Sequence, residues 1–253
     1  MVKGTRIAGL GATVVSCAGI AAGGGFDETT TYNFDKDAAG MLPQGWKAAA
    51  TKPGKELATW TVAADPGAPS GPNVLGISRV GADLSEFNLC YNEKTSVADV
   101  DLTVKMRANT GKEDQGGGVV WRLRDADNYY ICRFNPLEDN FRVYKVVKGK
   151  RSQLDGVSFQ SAGAGHWYTV RAVMVGDRVT CWLDGKELLH AQDGTFKEAG
   201  HVGLWSKADA ASSFDDLVVA PGKVEALGSG KAKPGKGDTR DDDGDDDDKP
   251  GKK

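Results

Sequence analysis

Val119-Val-Trp-Arg-Leu-Arg124, Asp125-Ala-Asp-Asn128 and Tyr129-Tyr-Ile-Cys-Arg-Phe134 read as strand, turn and strand. Apolar and aromatic residues fill both runs. The four residues between them are turn formers, because Asp and Asn side chains hydrogen-bond their own backbone. Side chains alternate between the two faces of a strand, so pairing Arg124 with Tyr129 gathers Val119, Trp121, Leu123, Tyr130, Cys132 and Phe134 on one face. That face is the expected core. The other carries Val120, Arg122, Arg124, Tyr129, Ile131 and Arg133. A third run, residues 141–147, extends the pattern. Pairing Phe134 with Phe141 sends Phe141 and Val143 to the core, and Arg142 and Tyr144 to the Arg-rich face.

The same period continues on either side. In residues 100–107, Val100, Leu102, Val104 and Met106 alternate with polar residues. Residues 168–175 and 178–183 flank a tight Gly176-Asp177 turn, with Val170, Ala172, Met174, Val179, Cys181 and Leu183 facing inward. Residues 202–205 and 214–219 read as a closing strand pair. No amphipathic helix of useful length is present. Many short strands separated by turns predict an all-β fold, a two-sheet antiparallel jelly-roll sandwich.

The two ends of the 253-residue chain differ from this middle. Residues 1–22 read as an export signal, with a basic start, a short apolar stretch over 7–20 and small residues near Ala21 and Ala22. The stretch is too short to span a bilayer. Val14-Val-Ser-Cys17 resembles a lipobox, so two readings stand: an ordinary signal peptide, or a lipoprotein signal with a lipid anchor at Cys17. The sandwich is expected over residues 26–220. Residues 221–253 lose apolar side chains and carry the block Asp241-Asp-Asp-Gly-Asp-Asp-Asp-Asp248, which predicts a disordered tail. A formal net charge of −3 argues against nucleic acid as a partner. Without Cys17, the thiols Cys90, Cys132 and Cys181 are odd in number, so they are expected as buried apolar residues with one optional bridge.

Several motifs carry a resemblance. Phe34-Asp-Lys-Asp37, Leu42-Pro-Gln-Gly-Trp46, residues 114–122, Asp125-Ala-Asp-Asn-Tyr-Tyr130, Leu137-Glu-Asp-Asn140, Trp182-Leu-Asp-Gly-Lys186, Gly203-Leu-Trp205 and Phe214-Asp-Asp216 occur in that order. The chain resembles the concanavalin A-like lectin/glucanase (laminin G-like) superfamily. It is similar to secreted bacterial proteins near the 3-keto-disaccharide hydrolase domain family. The resemblance implies carbohydrate recognition outside the cytoplasm. It also implies a structural calcium between the first and last strands, with Asp35 and Asp215 as candidates. Two patterns are missing. The Glu-x-Asp-x-x-Glu strand of the glucanases has no counterpart, nor does the Leu-Phe-Asn-Gly-Lys opening of the keto-sugar hydrolases.

Three functional readings follow. In the first, the Arg-rich face binds a glycan through Arg122, Arg124, Tyr129, Arg133, Arg142 and Tyr144, with Asn128 and Asn135 at its rim. Aromatic rings stack on sugars and guanidinium groups bond to oxygens, and the arginine content hints at an anionic sugar. In the second, the chain is a hydrolase cleaving glycosides, which requires a carboxyl pair. Glu138 and Asp139 are its candidates, with Asp114 and Asp127 the other acids near the face. The third reading is a structural envelope or adhesion protein.

Overall fold

β-branched and aromatic residues in short runs, broken by Asx and Gly turns, leave no stretch with helical period. The computed structural model describes residues 28–53, 56–81 and 85–234, and it is almost wholly β. The export segment with Cys17 and the acidic block lie outside the described residues. The strands are β1 (Thr30–Tyr32), β2 (Trp46–Thr51), β3 (Thr59–Ala64), β4 (Asn73–Arg79), β5 (Phe87–Val97) and β6 (Val100–Thr110). They continue as β7 (Gly117–Asp125), β8 (Asn128–Asn135), β9 (Asn140–Val147), β10 (Lys150–Ser158) and β11 (Tyr168–Val175). β12 (Arg178–Leu183), β13 (Lys186–Gln192), β14 (Gly200–Lys207), β15 (Ala211–Pro221) and β16 (Lys233–Pro234) complete the set.

Two sheets form a jelly-roll sandwich. One runs β16-β13-β12-β11-β6-β15-β4-β3, with β1 also on β15; the other runs β10-β9-β8-β7-β14-β5-β2. The core between them contains Val119, Trp121, Tyr130, Cys132, Phe134, Phe141 and Val143. From the opposite sheet come Val170, Ala172, Met174, Val179, Cys181 and Leu183. Phe134 pairs with Phe141, as the alternation predicts. Cys90, Cys132 and Cys181 are buried free thiols.

The β7–β8 hairpin departs from the expected register: Trp121 pairs with Tyr130 and Val119 with Cys132, two residues from where pairing Arg124 with Tyr129 would set them, an even shift that leaves the core faces unchanged. The ladder shifts between Trp121 and Asp125, and Arg122 takes a left-handed φ of 46°. This bulge turns Leu123 to the outer face, where it joins Phe87, Leu89, Tyr91, Val120, Tyr129, Ile131, Tyr144, Val146 and Trp205 in a second apolar cluster. It also swings Arg122 out of the expected face.

The chain stays attached to the sandwich beyond Ala220. Gly222 N–H bonds to the Asp99 carbonyl at 3.0 Å, Gly230 N–H to Glu187 Oε1 at 2.9 Å, and β16 pairs in parallel with β13. Beyond Ala220, the chain thus adds a short parallel strand to the edge of the sandwich. Backbone bonding to the open edge of β13 needs no apolar side chain, so composition does not register it.

Candidate functional site

The seven-stranded sheet curls strongly. Tyr129 on β8 and Thr51 on β2, four strands apart in the sheet, share a hydrogen bond at 2.8 Å. The curl turns much of the expected wet face into a packed interior. Tyr129 and Tyr144 are fully buried, and Arg133 is 1% exposed.

Arg133 stands at the centre. Its strand partners are Gly118 on β7 and Arg142 on β9. A side chain at 118 would run into the Cys132 carbonyl and sit 2.8 Å from Arg133 Cα, so glycine is what lets these strands lie so close. The guanidinium donates from Nη1 to Asn140 Oδ1, and from Nη2 to Glu138 Oε2 and Tyr144 Oη, both at 3.2 Å. Asn140 Nδ2 donates to the same Glu138 oxygen at 2.9 Å. Burial opposes the Arg133 charge, but Tyr144, Glu138 and Asp114 outweigh it and hold the charge in place. Arg151, from β10, lies over the rings of Tyr144 at 4.5 Å and Phe87 at 5.0 Å.

A second carboxyl faces this group from the β6–β7 loop. Asp114 Oδ1 accepts from Gly116 N–H at 2.7 Å and from Asn135 Nδ2 at 3.2 Å; Oδ2 lies 4.0 Å from Lys207 Nζ. Burial, with Glu138 adding to it and Arg133 and Lys207 opposing it, pushes the Asp114 carboxyl up to about 6. Burial and the Arg151 charge lower the proton affinity of Lys207. Asp114 Oδ2, Glu138 Oε1, Arg133 Nε and two nitrogens of Arg151, Nε and Nη1, are buried without a hydrogen-bond partner among the described residues. Such atoms demand an explanation in a folded protein, and a polar ligand received there would supply their partners.

Of the residues read from the sequence, Tyr129, Arg133, Arg142, Tyr144, Asn135 and Glu138 come together on this face. Arg142 is half-buried and bonds to Gln153 Oε1 at 3.0 Å. Four others do not join it. Arg122 sits at the end of the sandwich, donating to the carbonyls of Ala98 (2.7 Å), Phe196 (2.6 Å) and Gly176 (2.8 Å) and pairing with Asp99. Arg124 lies exposed over the Phe196 ring at 5.1 Å. Asn128 closes the β7–β8 turn through Asp125 and Lys148 N–H. Asp139 binds the backbone N–H and hydroxyl of Ser161, so it anchors a loop.

Arg151 and Lys207 escaped the sequence reading. Residues 150–158 show no clean alternation, and Lys207 falls just past the recognised Val202–Trp205 run. Asp35 and Asp215 do approach the same loop. Asp215 accepts Ser70 N–H at 3.0 Å, and Asp35 accepts Asn73 N–H at 3.3 Å. Among the described residues no group of three His, Cys, Asp or Glu side chains is placed to hold a metal ion.

The fold is a concanavalin A-like sandwich. Residues 43–220, well over half the chain, match the family described as the 3-keto-alpha-glucoside-1,2-lyase-like domain, and the chain belongs to that family. Among solved structures, it is similar to the carbohydrate-binding module CBM66 from Bacillus subtilis, with a TM-score of 0.53 and 21% identity over 68% of this chain and 93% of that one. It is also similar to the GH43 protein BlXynB from Bacillus licheniformis, with a TM-score of 0.51 and 16% identity over 75% of this chain and 39% of that one. A third is the VIP36 exoplasmic/lumenal domain in its Ca2+/mannose-bound form, with a TM-score of 0.51 and 11% identity over 82% of this chain and 93% of that one. At these identities the likeness is one of fold. No curated protein matches the chain.

Proposed function

We propose that the curled face around Arg133 binds a glycoside outside the cytoplasm and cleaves it by elimination across C1 and C2 of a 3-keto sugar. The observation that carries this reading is the set of buried, unpartnered donors and acceptors on two carboxyls and two arginines. A sugar hydroxyl both donates and accepts, so it satisfies such a mixed set.

A keto group at C3 acidifies the C2 proton. Glu138, ion-paired to Arg133, has Oε1 free to take that proton. The C2–H electron pair becomes the C2–C1 π bond as the C1–O bond breaks. Negative charge developing on the C3 oxygen on the way is met by the free N–H groups of Arg133 and Arg151. Asp114, which keeps its proton up to about pH 6, gives it to the departing oxygen.

The test is a screen of the full chain against α-glucosides and their 3-keto derivatives, scoring binding and products. Glu138→Gln should bind the 3-keto sugar within a few-fold of wild type and form no product. Binding without turnover in the wild type would reduce the site to a recognition module. No binding of either sugar class would sink the reading.

A further inference from the structure

Beside the site, one carboxylate does an unusual amount of backbone bonding. Asp209 lies in the turn between β14 and β15, two residues after Lys207. Its Oδ2 accepts Lys112 N–H at 2.7 Å, and its Oδ1 accepts Glu113 N–H at 3.1 Å and Asp114 N–H at 3.0 Å. Three consecutive amides of the β6–β7 loop thus converge on one side chain. The loop has no regular ladder there, and these bonds replace it.

The two segments so joined carry the two ends of an ion pair. Asp114 is the last of the three clamped amides, and its Oδ2 faces Lys207 Nζ at 4.0 Å. The turn holding Asp209 is itself fixed. Ala210 N–H bonds to the Lys207 carbonyl at 3.0 Å, and Ala208 N–H to the Glu86 carbonyl at 3.0 Å. At the other end of the loop, Gly111 adopts a φ of 149°, and a side chain there would run into the Asp114 carbonyl. The loop folds back on itself and has little slack of its own.

We propose that Asp209 is a positioning residue: by clamping residues 112–114 to the turn that follows Lys207, it holds Asp114 in the buried site and fixes it against Lys207. The proposal rests on the reading of Asp114 as part of the reacting site, but its first readout does not. The charged groups facing Asp114 are Arg133 from β8, Glu138 from the β8–β9 turn, Arg151 from β10 and Lys207 from β14. Burial is the main cause of the raised Asp114 proton affinity, so a released loop hydrates the carboxyl and lowers it.

The experiment follows the Asp114 carboxyl by carbon-13 NMR in the full chain, assigned by difference with Asp114→Asn. Asp209→Asn sets an amide NH2 against backbone donors and breaks half of the clamp. The Asp114 titration should fall by about one pH unit, and turnover of a 3-keto-α-glucoside should fall roughly ten- to a hundredfold through kcat, with KM little changed. Asp184→Asn is the control, since Asp184 also caps a backbone amide, Thr169 N–H at 2.7 Å, but in the β12–β13 turn of the other sheet. It should cost stability and move neither readout. If Asp209→Asn does not fold, Asp209→Ser, which keeps one acceptor, is measured the same way. An unmoved Asp114 titration in a folded Asp209 variant overturns the proposal. A moved titration in a protein whose wild type turns over no keto-glycoside supports the clamp and removes the enzymatic reading.

Discussion

Tyr129 Oη donates to Thr51 Oγ1 at 2.8 Å, and Thr51 in turn donates to the Ala126 carbonyl, tying β2 to the β7–β8 turn across the curled sheet. Burial pushes the Tyr129 hydroxyl well above the usual phenol range, so it acts as a neutral donor at any working pH. Tyr129→Phe and Thr51→Val should each cost roughly 1–3 kcal/mol in urea unfolding, because each leaves a buried polar partner unmet. The double variant should cost less than the sum. Strict additivity would mean that the two hydroxyls do not meet.

Trp121 and Arg122 are neighbours with different reasons to resist change. Trp121 is fully buried in the core, and Trp121→Ala should cost roughly 3–5 kcal/mol. Alternation alone would make Arg122→Ala mild. The bulge instead gives that guanidinium three carbonyls to satisfy, so its loss should cost roughly 3 kcal/mol or more. Arg124→Ala, which among the described residues loses a contact to the Phe196 ring, should cost about 0.5–1 kcal/mol. Equal, small effects of both arginine changes would contradict the bulge.

Period-2 alternation made the core legible. Val119, Trp121, Tyr130, Cys132, Phe134, Phe141 and Val143 could be placed because each strand pair has one face that must be dry. Leu123 and Arg122 could not, because a bulge inserts a residue without any compositional mark. Arg133, Tyr144 and Glu138 were readable as one cluster, yet their burial was not. Curl is a property of the whole sheet, and it is the curl that brings Thr51 over Tyr129 and Arg151 over Phe87. Lys207 ends β14 and Asp114 lies in the β6–β7 loop, far apart in sequence, and no local pattern encodes their meeting.

The segment after Pro221 gives a prediction about boundaries. Ending the chain after residue 234 should leave the melting temperature within a few degrees. Ending it after residue 221 removes β16 and the bond from Gly230 N–H to Glu187, and bares the edge of β13. The shorter chain should melt several degrees lower and aggregate more readily by light scattering. Identical behaviour of the two truncations would mean that residues 222–234 add nothing to the sandwich.

Asp114 gives the sharpest dependence on pH. Its carboxyl is raised from 3.8 to about 6, so the folded chain binds this proton more tightly than the unfolded chain does. The sign follows from linkage: this contribution is fully present below about pH 4 and is lost as pH rises through about 6. A shift of this size corresponds to about 3 kcal/mol for a group that is almost wholly buried. Asp114→Asn keeps an acceptor for Gly116 N–H and has no charge to bury. Urea unfolding of both proteins between about pH 4 and pH 7.5 isolates this residue, because every other titrating group is shared. The wild type should lose stability relative to Asp114→Asn across that interval, with the difference levelling off above about pH 7. A flat difference would mean that Asp114 is ionised as easily as in water. A difference of opposite slope would mean that Arg133 and Lys207 dominate over burial, and Asp114 would then be unsuited to hold a proton for a leaving group.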